Sequence, residues 1–200
     1  MDTFWTISKE GQGTYTEKRS KFLAFCHHVT TVEEIKEIID RYKKEYYDAR
    51  HVCWAYMLGY ERKEFRMNDD GEPSSTAGKP ILGQINSNNL TDILIVVVRY
   101  YGGVNLGTGG LIVAYRTAAA EAITNCTIVE RHAEETISFD FEYIMMNDVM
   151  KVIKDMSPRI ISQDFGNSCN IQLAIRKDEA PLLRNKLESL KIKRGYTTTE

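Results

Sequence analysis

Two α+β domains are the fold predicted by this sequence, one over residues 1–132 and one over 133–200, and three observations carry the prediction. The chain has 200 residues, 42% of them hydrophobic, which suffices for one large domain or two small ones. Residues Ile93 to Val98 form an unbroken apolar run rich in β-branched side chains, the pattern of a strand buried on both faces. After "CTIVERHA" the succession of strand and helix patterns begins afresh, which places a boundary near Arg131 to Ala133.

The elements of the first domain follow from local pattern. "GTYTEKRSKFLAFCHHV" (Gly13 to Val29) is strand material. In "TTVEEIKEIIDRYKKEYY", Thr31 stands three residues before Glu34, the spacing of a capping box. Behind it Val32, Ile35, Ile39, Tyr42 and Tyr46 recur at helical spacing, leaving Glu33, Lys36, Glu37, Lys43 and Lys44 in water. "HVCWAYMLGY" (His51 to Tyr60) and "KEFRMN" (Lys63 to Asn68) read as a strand pair. "DDGEPSSTAGKPIL" is a turn-rich loop leading into a short helix over "ILGQINSNN". Pro80 suits the first helical position, and the helix start would aim free backbone donors at the loop. "TDILIVVVRYYGG" is the buried strand, and from Gly109 helical spacing resumes with Leu111, Tyr115, Ala118 and Ala122 on one face, Arg116 and Glu121 off it.

The second domain reads as strand "ETISFDFE", a helix near Asn147 to Met156 stopped by Pro158, strand "RIISQDF", turn "GNS" and strand "CNIQLAIRK". A second helix follows, with Asp178 as its cap and Leu183, Leu187 and Leu190 on its apolar face. With a last strand at Ile192 to Tyr196 the order is βαββα(β), the ferredoxin-like split arrangement.

Charge narrows the function. With 26 basic and 28 acidic residues the formal net charge is -2, and each half carries -1, so no global cationic field announces nucleic acid. The densest basic segment is "RNKLESLKIKRG", with Arg184, Lys186, Lys191, Lys193 and Arg194. The start lacks a basic region followed by an apolar one, and no apolar run is long enough to span a bilayer. A soluble, cytoplasmic protein without membrane association is expected. Cys26, Cys53, Cys126 and Cys169 show no C-x-x-C pair and read as reduced core residues rather than zinc ligands or a disulfide framework.

Two constellations could carry a site. Asp69, Asp70, Gly71 and Glu72 precede Ser74, Ser75 and Thr76, an oxygen-rich loop that can hold a hard cation or simply satisfy its own backbone. "RYYGGVNLGTGG", with Gly102, Gly103 and Gly107, joins the buried strand to a helix. Bare N–H groups before the positive end of a helix are the ingredients of an anion site, although neither phosphate-loop spacing is met. Gly109 and Gly110 could equally serve close helix packing. Arg99 ends an apolar strand, so its charge needs an acid of the first loop or a ligand. Tyr100 and Tyr101 offer ring faces on opposite sides. His51 is the histidine nearest these loops, with Cys53 on the same strand face. No nucleophile and base stand at a spacing that supports catalysis, so neither catalytic residues, a metal nor a cofactor are expected.

"DARHVCWAY", "DDGEPSSTAGKPIL" and "VVVRYYGGVNLGTGGLIVAY" together resemble the hallmark stretches of the Impact/YigZ family. The resemblance implies an N-terminal domain of the ribosomal protein S5 domain 2 type and a C-terminal ferredoxin-like domain similar to the last domain of elongation factor G. It makes the DDGEP and RYYGG loops one shared surface site. Eukaryotic members regulate translation through a partner protein that activates the amino-acid-starvation kinase. The expected function is a translation accessory factor or regulator binding RNA, the ribosome or a protein partner; the alternative is an enzyme or binder of a phosphorylated small molecule or nucleotide. One departure is visible: the family commonly has glycine where Ser75 stands.

Overall fold

In the computed structural model, which describes residues 2–166, 168–190 and 192, the unbroken apolar run is the middle strand of a five-stranded sheet. The chain divides into two units, Phe4–Arg131 and the stretch from His132 onward joined by the first three residues. The first carries β1 (Thr3–Lys9), β2 (Gly11–Glu17), β3 (Ser20–His28), α1 (Val32–Glu45), β4 (His51–Leu58), β5 (Glu64–Asn68), α2 (Gly78–Ser87), β6 (Ile93–Tyr100), α3 (Gly107–Thr124) and β7 (Thr127–His132).

The large sheet runs β2-β3-β6-β4-β5 with every pair antiparallel. Alternation sends Ile93, Ile95 and Val97 to one face and Leu94, Val96 and Val98 to the other, and all six are fully buried. On the first face they meet α2 and α3 through Ile81, Ile85, Ala114, Tyr115 and Ala118. On the second they meet Ile35, Ile39 and Tyr42 of α1. Thr31 caps α1 with the reciprocal Glu34 bond. Two glycines of β2 let α3 lie against that strand: a Cβ on Gly11 would stand 2.3 Å from the Ala122 carbonyl oxygen, and one on Gly13 2.4 Å from the Ala122 nitrogen. β1 and β7, which no sequence pattern had marked, pair in a separate two-stranded sheet.

The second unit is built from β8 (Glu134–Phe141), a 3₁₀ turn (Tyr143–Met145), α4 (Met146–Met156), β9 (Arg159–Phe165), β10 (Cys169–Arg176) and α5 (Ala180–Ser189). Its antiparallel sheet has the order β8-β10-β9. Phe139, Val149, Ile171, Leu173, Leu183 and Leu187 fill its core. The Asp2 carboxylate accepts from the Arg176 guanidinium at 3.0 and 3.2 Å, which holds it well below the usual carboxylate range.

Two local expectations are corrected. Pro80 is the third residue of α2, not the first, because the helix begins at Gly78. The N-cap of α5 is Glu179, one residue beyond Asp178, and no side chain caps it. Of the expected last strand only Ile192 is described, buried and outside any strand; Lys191, Lys193, Arg194 and Tyr196 lie outside the described residues. Among the described residues no helix is long and apolar enough to cross a membrane.

Candidate functional site

The acidic loop and the end of β6 meet through a buried ion pair. Arg99 Nη1 donates to Glu72 Oε1 at 2.6 Å, with only 6% and 3% of the two side chains exposed. Register explains the placement. Arg99 lies opposite Phe22 on β3 and His51 on β4, so its side chain leaves a central strand on the same face as Val97, the face covered by α3. There Tyr115 donates its hydroxyl to the same Glu72 oxygen at 2.7 Å. The guanidinium also lies 5.5 Å from the ring centres of Phe22 and of Tyr101. Arg99 Nε remains buried without a hydrogen-bond partner.

His51 and Cys53 project from β4 toward this group. His51 Nδ1 donates to the Asp70 carbonyl at 2.7 Å, which leaves Nε2 facing Glu72 Oε2 at 3.7 Å. Cys53 donates its thiol hydrogen to the Asp69 carbonyl, 3.1 Å away, and its sulfur is 3.4 Å from the Tyr115 hydroxyl. Burial pushes the Cys53 thiol well above its ordinary range, with the Tyr115 hydrogen bond opposing. Burial, then neighbouring Cys53 and Glu72, pushes the Tyr115 phenol up likewise. Both therefore stay protonated near neutral pH.

The other carboxylates of the loop serve the backbone. Asp69 accepts from the N–H groups of Ser75 at 2.9 Å, Ala77 at 3.1 Å and Gly78 at 2.8 Å, so the donors expected to point freely from α2 already have an acceptor. Asp70 accepts from Val52 N–H at 2.7 Å and lies 3.5 Å from Lys43 Nζ. Thr76 donates to the Pro73 carbonyl at 2.6 Å. Among the described residues no group of three or more metal-ligating side chains comes together. Ser75, standing where the family commonly has glycine, has φ +64°, and Asp70 and Gly71 are left-handed too at +44° and +85°.

Beside the ion pair opens a cavity of about 510 Å³ lined by Arg50, His51, Glu72, Pro73, Arg99, Tyr101, Asn105, Leu106, Gly107, Thr108 and Leu111. It ends at the start of α3, where Leu106 offers no side-chain cap and no acid occupies the first turn. Of the residues expected at a site, His51, Glu72, Arg99, Tyr101 and Gly107 thus converge on one cavity, while Asp69, Asp70, Gly71, Ser74, Thr76, Tyr100, Gly102 and Gly103 lie off its wall. Tyr100 turns to the α1 face and donates to Asp48 at 2.9 Å. Gly102 is the packing corner: a Cβ there would stand 2.1 Å from the Arg19 carbonyl carbon. The expectation that Gly109 and Gly110 serve close helix packing is corrected, since Gly109 has nothing within 4 Å and Gly110 only the Leu106 Cβ at 3.0 Å. Arg50, Asn105 and Thr108 had no signal in the sequence beyond adjacency to the two loops.

Comparison with known proteins fits this geometry. Residues 18–123, which contain both loops and the whole cavity, match the model of the Impact N-terminal domain. The IMPACT family member YvyE of Bacillus subtilis is 32% identical over 155 residues, 78% of this chain and 71% of that protein. The IMPACT family member YigZ of Escherichia coli is 34% identical over 150 residues, 74% of each chain. A crystal structure described as that of a hypothetical protein superposes with TM-score 0.73 at 28% identity, covering 99% of this chain and 97% of that one. With more than half of the chain in that domain and relatives matching along most of its length, the protein belongs to the Impact family.

Proposed function

We propose that the protein is a translation accessory factor or regulator that acts by binding, and that its cavity receives a phosphate of RNA. The observation that carries the reading is Arg99, a wall residue whose buried Nε has no hydrogen-bond partner, in a cavity that ends at an uncapped helix start. A buried donor without an acceptor calls for one, and aligned N–H groups at a helix start favour an anion. Exposed Arg50 adds a second cation, and Tyr101, 46% exposed, adds a ring on which a base can stack. Neutralisation of Glu72 by Arg99 leaves the wall net positive although the chain is not. The link to translation rests on family membership and the resemblance stated above, and a cytoplasmic setting goes with it.

The same reading assigns the ribosomal protein S5 domain 2 fold to residues 1–132 and the ferredoxin-like fold to 133–200. The βαββα succession and the β8-β10-β9 order support the second assignment.

RNA affinity measured by fluorescence anisotropy across a salt series tests the proposal. Arg50→Ala should weaken binding for all sequences alike and lower the salt slope by roughly one. A slope and affinity unchanged in that variant would overturn it. A second reading, a phosphorylated small molecule or nucleotide, is favoured by the cavity's size, within the roughly 300 to 1,000 Å³ typical of small-ligand sites. A nucleoside monophosphate that binds in the absence of RNA and displaces none would select it. Capture of a protein partner by a surface away from the cavity, with neither RNA nor nucleotide bound, would refute both.

A further inference from the structure

Cys26 and Cys126 are a hundred positions apart in the chain and flank one glycine in the fold. Gly11 is directly opposite Cys26 in the β2–β3 ladder. A Cβ on Gly11 would stand 2.7 Å from the backbone nitrogen of Cys126, so the absence of that side chain lets the Cys126 backbone approach the strand pair beside Cys26. Cys126 packs on the core cluster that contains Cys26, and its thiol donates to the Ala122 carbonyl at 3.3 Å. Their exposure differs: Cys26 is buried at 1%, whereas Cys126, just past the end of α3, is only half-buried.

We propose that Cys126 and Cys26 are a reversible redox pair, in which Cys126 reacts with a hydroperoxide and Cys26 resolves the product as an intramolecular disulfide. The asymmetry of the pair suits those roles. The neighbouring Cys26 thiol, and then the Gly11 backbone, lower the Cys126 pKa against the effect of burial and of Glu10. The neighbouring Cys126 thiol and burial push Cys26 up, so it holds its proton. A thiolate-favouring, accessible cysteine beside a buried thiol is the arrangement of peroxide-sensing pairs. By contrast Cys53 and Cys169 are buried, and Cys53 is pushed up by burial.

The chemistry balances. The Cys126 thiolate attacks the distal peroxide oxygen, the O–O bond breaks, and the alkoxide leaves and takes a proton from water to become an alcohol. Cys126 is then a sulfenic acid. Cys26 gives up its proton and attacks the Cys126 sulfur, the S–O bond breaks, and hydroxide leaves with that proton as water. Two thiols and one hydroperoxide yield one disulfide, one alcohol and one water. Two electrons pass from the sulfurs to the peroxide, and an added dithiol reverses the change.

The test uses the full-length protein and hydrogen peroxide, with differential alkylation and peptide mapping by mass spectrometry. The expected result is a monomeric product that has lost the thiols of Cys26 and Cys126, contains their linked peptides, and is restored by dithiothreitol. Cys53 and Cys169 should still alkylate once the chain is unfolded. Cys26→Ser should stop at a Cys126 sulfenic acid that dimedone captures. Cys126→Ser, at the half-buried position and least disturbing to the core, should make Cys26 slower to react by about tenfold or more. A wild-type Cys126 sulfenic acid that persists unresolved, a disulfide only between chains, or unchanged Cys26 reactivity in Cys126→Ser would each overturn the proposal.

Discussion

Replacing Arg99 with Met removes the cation but keeps an apolar stem of similar length. Glu72, 3% exposed in its side chain, would then be left with the Tyr115 hydroxyl as its hydrogen-bond donor and with His51 Nε2 3.7 Å away. Breaking a buried pair by removing one partner costs roughly 3 to 5 kcal/mol, because the remaining charge is desolvated without compensation. Loss of the stacking of the guanidinium on Phe22 and Tyr101 adds about 0.5 to 1 kcal/mol at each. Glu72→Met should cost a similar amount by orphaning Arg99. The double variant should be less destabilised than the sum of the two by about 2 to 3 kcal/mol, since neither buried charge survives. Urea unfolding followed by tryptophan fluorescence isolates the relevant unit, because both tryptophans, Trp5 and Trp54, belong to Phe4–Arg131. A loss below about 1 kcal/mol for Arg99→Met, or additivity in the double variant, would refute the view of the pair as one buried electrostatic unit.

Ser75→Gly should raise the unfolding midpoint of the first unit, by about 0.5 to 1 kcal/mol, because φ +64° suits glycine better than serine and the N–H to Asp69 is retained. A fall in stability would mean that the serine side chain makes up for its backbone. Asp69→Ala should cost about 1 to 3 kcal/mol by leaving the Ser75, Ala77 and Gly78 N–H groups without their acceptor, readable in the same urea titration. The Glu34 carboxyl is lowered, first by the backbone N–H of Thr30 and then by that of Thr31. Its contribution is therefore complete above its ordinary value of 4.5 and is lost as the pH falls through the lowered folded value. Thermal melts of Glu34→Gln from neutral pH into this acid range should show a shallower loss of stability than the parent; parallel curves would contradict the capping role.

How much of this was legible in the sequence depends on the range over which each residue acts. The capping box of α1 lies within four residues and could be read directly, as could the face of α3 that carries Tyr115. The six-residue apolar run announced a strand covered on both faces, and the need of Arg99 for an acid followed from its position at the end of that strand. β7 was not legible because it is short and mostly exposed, nor was β1, in which neighbouring Thr6 and Ile7 are both buried and break the alternation of a half-buried strand. The task of Asp69 could not be read from composition either, since its acceptors serve N–H groups six to nine residues farther on. Arg50 carries no pattern at all; only the β4–β6 register brings it beside Arg99, whose carbonyl accepts its N–H at 2.9 Å.

The membership of the first three residues in the second unit makes that unit discontinuous, with Phe4–Arg131 interposed in the chain. Asp2 is synthesised before its partner Arg176, which follows 174 residues later, so the clamp between them closes only after the whole of Phe4–Arg131 has been made. The interposed unit, by contrast, has all of its strands and helices by Arg131 and can mature on the ribosome while the rest is still being made. A gene fragment that begins at residue 133 would encode β8 to α5 but omit the carboxylate that Arg176 holds.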